Sequence, residues 1–249
     1  MILYHYTTVQ SFLLILLTGR IRFSKLSIVD DPEEYQYITS DGLNPANYAY
    51  ISCWSTTENE CIPQWNLYSE KGHGVRIGMD ENMFDVRRNN DGNLIIPDLM
   101  TPDIEENINR GFYVKPIMPG LFLYDIDYID DLTTVSNYII KNRDNGIEID
   151  TNSIGRYKRT EWAFQKEKRF RIFAYPFDGK RMLENVLAEH LYPAIQNIDI
   201  PIVDSCLQNM QITLGPHITE AEEKLIRLIV ERVIKNPTIK RSVFYNETK

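Results

Sequence analysis

The sequence predicts a single α+β domain in which a mostly antiparallel sheet is flanked by helices, and three observations lead to it. Short strand-like segments recur through the chain, at residues 2–6, 21–24, 50–55, 74–79 and 169–175, several with the period-2 alternation of a half-buried strand. Helical patterns separate only some of them, so the order lacks the repeated βα units of a parallel sheet. With 249 residues, 43% apolar and 25% charged, the chain can bury one sizeable core.

Residues 2–6 read as the first strand. The apolar run 12–17 then forms a helix ending at Gly19, where a left-handed backbone costs glycine little. Residues 21–24 alternate as a second strand. In Asp31-Pro32-Glu33-Glu34, Asp31 can cap a helix, Pro32 fits its first position and Glu34 sits where a capping box needs its reciprocal acceptor. Residues 50–55 and 74–79 read as two further strands. Between them Ile62, Trp65 and Tyr68 recur every third residue, on one side of a short helix. Gly72 and Gly74 end that helix, with His73 exposed between them.

The segment at about 85–111 is polar, Asn-rich and interrupted by Pro97 and Pro102. It reads as a surface excursion from one domain covering residues 1–249, with room for one short helix. Residues 112–117 and 122–129 read as strands, and 132–142 as a helix after an acidic start at Asp130 and Asp131 that complements the helix dipole. Residues 169–175 return to a strand. Near the C-terminus, Thr219 and Glu222 form a capping-box pattern, and Leu225, Ile229 and Val233 line one face of the helix that follows. That single stripe suits pairing of two copies into a homodimer, and the protein's own sheet satisfies it equally well.

Twenty-seven basic against 35 acidic residues give a formal charge of -8, which disfavours nonspecific capture of a phosphate backbone. No signal-peptide charge pattern precedes the first apolar run, and that run is far short of a bilayer span. Cys53, Cys61 and Cys206 are odd in number and irregularly spaced, which suits a reducing interior. The expectation is a soluble, cytoplasmic protein without a membrane partner. No metal site emerges: His190 and His217 are isolated, and Asp125, Asp127, Asp130 and Asp131 lack the spacing of a calcium loop. A P-loop and a GxGxxG are both lacking. Asp204-Ser205-Cys206 offers nucleophiles without an oriented base, and the basic residues of the C-terminal helix are interspersed with acids, as on a solvated face.

Three positions invite chemistry. His5, at the end of the first strand, can donate from one ring nitrogen while the other accepts, or it can simply pack. Tyr68, just before the permissive Lys71-Gly72-His73-Gly74 loop, suits stacking on a planar ring, although both it and Trp65 also suit a core. In the dense patch from Lys158 to Arg171, a strand beginning near Glu167 puts Glu167, Arg169 and Arg171 on one face and Lys168, Phe170 and Ile172 on the other. A carboxylate flanked by arginines stays ionised. It can accept from a sugar hydroxyl or favour developing positive charge, but it is not a general acid. The same pattern equally describes a structural ion-pair ladder on an exposed sheet face.

Taken in order, Leu3-Tyr4-His5-Tyr6-Thr7-Thr8, Phe23-Ser24 with Asp31-Pro32-Glu33-Glu34, Ser52-Cys53-Trp54-Ser55, Trp65-Asn66-Leu67-Tyr68, Gly74-Val75-Arg76-Ile77, Trp162-Ala163-Phe164-Gln165-Lys166-Glu167-Lys168-Arg169 and Ile212-Thr213-Leu214-Gly215 resemble the DUF2971 family of mostly bacterial proteins. The middle, from about residue 85 to 155, matches poorly. Gln165 stands where an earlier Glu is common, which weakens any mechanism needing two adjacent carboxylates. The opening is in turn similar to ADP-ribosyltransferase-fold enzymes, with their split sheet. That resemblance implies NAD as substrate, with His5 contacting the nicotinamide ribose, an aromatic residue, Tyr68, packing on nicotinamide, and Glu167 completing the site. It also implies that Arg76 or Arg169 neutralises pyrophosphate, and the matched segments add Tyr6, Thr7, Ser24 and Trp65 to the binding set. The acceptor would be a protein, a nucleotide or water. Two other classes stand beside this one: a non-catalytic ligand-sensing or protein-interaction domain, and a metal-independent nucleic-acid-processing enzyme with His5 and basic residues along one groove. The transferase reading requires His5, Tyr68 and Glu167 to line one concave cavity.

Overall fold

Alternation and capping govern the first quarter of the chain as expected. In the computed structural model, which describes residues 1–101, 103–143 and 146–245, β1 is Ile2–Thr7, α1 is Val9–Thr18, β2 is Arg20–Lys25 and β3 is Ala49–Ser55. Thr8 caps α1 by accepting from the Ser11 amide at 3.1 Å. At the other end Gly19, at φ 61°, donates its N–H to the Ile15 carbonyl at 2.8 Å. Phe12, Ile15 and Leu16 on α1 enter the main core, each burial contributing about 1.5–3 kcal/mol before entropy is counted.

The chain continues through α2 (Ile62–Tyr68), β4 (Val75–Asp80), the hairpin β5 (Arg87–Arg88) and β6 (Leu94–Ile95), α3 (Ile104–Arg110), β7 (Phe112–Val114), β8 (Leu123–Asp125), β9 (Asp127–Ile129), α4 (Val135–Ile139), β10 (Ile140–Arg143), β11 (Gly146–Ile149) and β12 (Tyr157–Arg159). It ends through β13 (Glu167–Pro176), α5 (Leu183–Ala188), β14 (Asn197–Pro201), α6 (Asp204–Gln208), β15 (Gln211–Leu214), α7 (Glu220–Val233) and β16 (Thr238–Arg241). The result is a mixed α+β fold, one main sheet with helices against it. No helix among the described residues is long and apolar enough to cross a membrane.

Several local expectations need correction. Asp31 does cap, accepting from the Glu33 amide at 3.1 Å, but the turn it caps is a short 3-10 turn, Pro32–Tyr35; Glu34 does not return to the cap and turns inward, buried. On α2, Gln64 and Trp65 are buried and Ile62 is exposed, because the protein-facing side of a two-turn helix runs through positions 64, 65 and 68. The expected strand at 112–117 stops at Val114, and 122–129 divides around the buried Ile126 into β8 and β9. The helix expected at 132–142 ends at Ile139 and continues as β10. The excursion at 85–111 does carry one short helix, but Ile96 and Leu99 drop into the main core; Pro102 lies outside the described residues. The capping box at Thr219 and Glu222 forms in both directions. The buried stripe of α7 runs through Ile226 and Val230, flanked by Ile229 and Val233, while Leu225 faces outward.

Strand order in the main sheet is β14-β2-β3-β1-β4-β15-β16, with β13 on β3 and both β7 and β8 on β13. Its pairings are antiparallel except β15 with β16. One edge of β3 is fully zipped to β13, from Glu167 opposite Ser55 to Phe173 opposite Ala49. The other edge is shared: β1 meets it only where Tyr4 faces Ser55, and β2 only where Ser24 and Lys25 face Ile51 and Tyr50. The sheet therefore divides along β3, and residues 52–54 face a gap between β1 and β2. This gap positions the site.

Candidate functional site

A cavity of about 310 Å³ opens at the division of the sheet, lined by residues of β1, β2, β3, α2, the Pro32–Tyr35 turn, β12 and β13. Its size is at the low end of small-molecule sites, which run from roughly 300 to 1,000 Å³. Tyr4 and Glu167 both stand opposite Ser55, so their side chains share one sheet face; Arg169, opposite Cys53, lies on the same face. His5 is out of phase with them, its ring 5.2 Å from that of Trp54 on the other face. It still lines the cavity, because β1 leaves β3 after Tyr4.

His5 fills the gap chemically as well. Its Nδ1 donates to the Cys53 carbonyl at 2.9 Å, serving a backbone oxygen beyond the β1 and β2 pairings. A carbonyl only accepts, so the proton sits on Nδ1 and the neutral ring keeps Nε2 as an acceptor. Burial lowers the His5 pKa, and the Cys53 carbonyl opposes that only in part. At neutral pH His5 is an uncharged acceptor.

Below it lies a closed ring of charge. Arg169 donates from Nε to Glu167 Oε1 at 2.5 Å and from Nη1 to the Gly155 carbonyl at 3.1 Å, while its Nη2 is 2.6 Å from Glu34 Oε2. That last contact is an ion pair off the hydrogen-bond axis, for Glu34 Oε2 has no directed donor. Lys158 Nζ is 3.1 Å from both Glu34 Oε1 and Glu167 Oε2 and donates to Gln165 Oε1 at 2.7 Å. All four charged side chains are buried, and their formal charges cancel. Burial alone would raise the pKa of Glu167. The charges of Arg169 and Lys158, with donation from Arg169, override it and hold Glu167 down at about 2. Burial pushes the Cys53 thiol up, aided by the Glu167 charge, so Cys53 stays protonated.

Tyr68 is half-buried at the cavity wall, its hydroxyl accepting from Gln165 Nε2 at 2.6 Å. Trp162 closes the side, its indole donating to Asp31 Oδ2 at 2.9 Å. Each cation on the lining already faces a carboxylate. Lys158 and Arg169 face the two glutamates, and Arg22 makes a two-pronged pair with Asp199 at 2.9 and 3.1 Å. The Arg22 pair is solvent-exposed and contributes little to stability. A second cavity of about 270 Å³ adjoins the first, and His5, Arg22 and Ser24 line both.

Of the sequence-predicted residues, the fold brings His5, Tyr6, Ser24, Tyr68, Glu167 and Arg169 to the main cavity. Thr7 lines only the second one. Trp65 is core, edge-on to Tyr6 at 4.8 Å, with its indole donating to Glu60. Arg76 is buried too, stacked 3.8 Å from the centre of the Tyr4 ring and donating to the carbonyls of Thr57 and Glu58. It braces the loop ahead of α2 and is not among the residues lining the cavity. Arg171 shares the face of Glu167 but not its ring of charge: it donates to the carbonyls of Asn152 and Ile154 and lies over Tyr124 and Phe173. The ion-pair pattern expected on an exposed face is thus buried. Sequence reasoning assigned Glu34 to a cap and gave Lys158 and Gln165 no role. The one available signal was Asp-Pro-Glu-Glu, a motif with more carboxylates than a cap requires.

No family model, curated protein or solved structure matches the chain.

Proposed function

We propose that the cavity binds NAD and cleaves its nicotinamide–ribose bond, passing ADP-ribose to an acceptor or to water. One observation carries this: an uncharged His acceptor and a Glu held ionised at neutral pH line one cavity of small-molecule size, with a tyrosine ring on its wall. Their order, His5, Tyr68, Glu167, is that implied by the resemblance to ADP-ribosyltransferase-fold enzymes.

The chemistry follows from charge. Breaking the C1′–N1 bond sends its electron pair to the ring nitrogen, so nicotinamide leaves neutral and positive charge appears on the ribose. Glu167 opposes that charge in a site shielded from water. His5 Nε2 accepts from a ribose hydroxyl, and Tyr68 offers a face for the nicotinamide ring. The nucleophile then forms the new bond to C1′ and releases its proton to solvent. The phosphates would extend toward Arg22, whose exposed pair with Asp199 is cheap to exchange. Arg76, buried under Tyr4 and Tyr6, takes no part.

A second reading, a non-catalytic ligand sensor, is favoured by one specific observation: both Glu167 oxygens already face cations. Incubation with NAD while free nicotinamide is measured, alongside calorimetric binding, separates the two. The expected result is nicotinamide release by the wild type and a loss of about 100-fold or more in Glu167→Gln. Binding without turnover supports the sensor, and neither binding nor turnover removes NAD from the account.

A further inference from the structure

We infer that Lys158 is the positioning residue of this site, its ammonium holding Glu34, Glu167 and Gln165 together so that the Glu167 carboxylate presents one fixed edge to the cavity. Lys158 Nζ donates to Gln165 Oε1 at 2.7 Å and to Glu167 Oε2 at 3.1 Å, and its charge is paired with Glu34 Oε1 at 3.1 Å. Arg169 takes the other Glu167 oxygen at 2.5 Å, so the carboxylate is gripped at both ends and its rotation is stopped. The grip extends to the ring-binding wall, because the Gln165 amide held by Lys158 donates in turn to the Tyr68 hydroxyl at 2.6 Å.

Placement strengthens the inference. The partners join two distant parts of the fold: Glu34 from the Pro32–Tyr35 turn, and Gln165 and Glu167 from the junction of the Thr160–Gln165 turn with β13. Lys158 itself stands on β12, outside the main sheet, where β12 pairs in parallel with β9. Its ammonium is 4.8 Å from the centre of the Trp162 ring, which shields that side. A chain that only had to fold could fill the space with an apolar side chain and lose Glu34 with it.

This inference rests on the NAD-cleaving reading, and its test is arranged to separate the two. Turnover of NAD from pH 4 to 9 is measured for the wild type, Lys158→Arg, Lys158→Met and the charge-balanced pair Lys158→Met with Glu34→Gln, which guards against misfolding of the single variant. The expected outcome is a kcat lowered about 100-fold in both Met variants with KM little changed. The carbon-13 titration of Glu167 should move upward in Lys158→Met, and Lys158→Arg should recover part of the loss. Folded Met variants with wild-type kcat and an unmoved Glu167 titration would overturn the inference. If the wild type releases no nicotinamide, the reading of function fails by itself. The clamp is then judged by the carbon-13 titration of Glu167: an upward move in Lys158→Met supports it, and an unmoved titration overturns it.

Discussion

The ion pairs around Glu167 and those along α7 use the same side chains, and their surroundings make them different objects. On α7, Lys224 and Glu220 meet at 2.7 Å with both side chains largely in solvent. At the sheet division, Glu34, Lys158, Glu167 and Arg169 meet at comparable distances with almost no exposure. The outer pair exchanges water for a partner at little gain; the inner ring can be left only as a whole, since loss of one member strands another charge in the interior. The contrast also separates roles. A pair on a solvated helix advertises nothing, whereas a buried, fully partnered carboxylate beside a cavity is a group whose ionisation the fold has fixed.

The strongest way to break the contrast is to delete one inner cation. Arg169→Met leaves Glu34 and Glu167 sharing Lys158 alone and should lower stability by about 3–5 kcal/mol in urea unfolding. A change close to zero would mean that the ring is no more consequential than the pairs on α7.

Acid gives the next largest effect, with a sign fixed by the direction of each shift. Glu167 in the folded protein titrates at about 2, below its ordinary 4.5. Its contribution is therefore fully present above about pH 4.5, and it is lost as pH falls toward 2, a change on the order of 3 kcal/mol. His5, also lowered, acts in a higher window: its contribution is complete above its ordinary 6.5 and declines as pH falls from there toward its folded value. Denaturant midpoints measured from pH 7.5 to 2.5 should fall in two stages, and His5→Gln should remove the first while sparing the second.

The smallest effect sharpens the comparison from the other side. Lys224→Ala, which removes the partner of the fully exposed Glu220, should leave the melting temperature and its salt dependence unchanged within error, as read by calorimetry at low and high salt.

How much of this could be read from the sequence varies from residue to residue. The alternation that put Glu167, Arg169 and Arg171 on one face was legible because β13 is ten residues long and regular. So was the capping box of α7, which depends on two residues three apart. Glu34 was not legible: a carboxylate just after Asp-Pro is explained locally by a cap, and only the return of β12 and β13 from more than a hundred residues away supplies its real partners. The division of the sheet was equally hidden, since β1 and β2 compete for one edge of β3 by register, a non-local property. Arg76 misled for the opposite reason. A basic residue in an apolar strand looks like a ligand contact until Tyr4 and Tyr6 are seen to cover it. Trp65 and Tyr68 shared one helical pattern, and tertiary packing sent one to the core and the other to the cavity wall.

The central claim is that one ligand touches both His5 and Glu167. A crystal structure of Glu167→Gln soaked with NAD tests it most directly, since the variant should bind without turning the ligand over. The expected result is the nicotinamide ring against Tyr68, with ribose hydroxyls reaching His5 Nε2 and the residue 167 side chain. Nicotinamide bound outside the divided sheet, or a cavity that stays empty at saturating NAD, would contradict it.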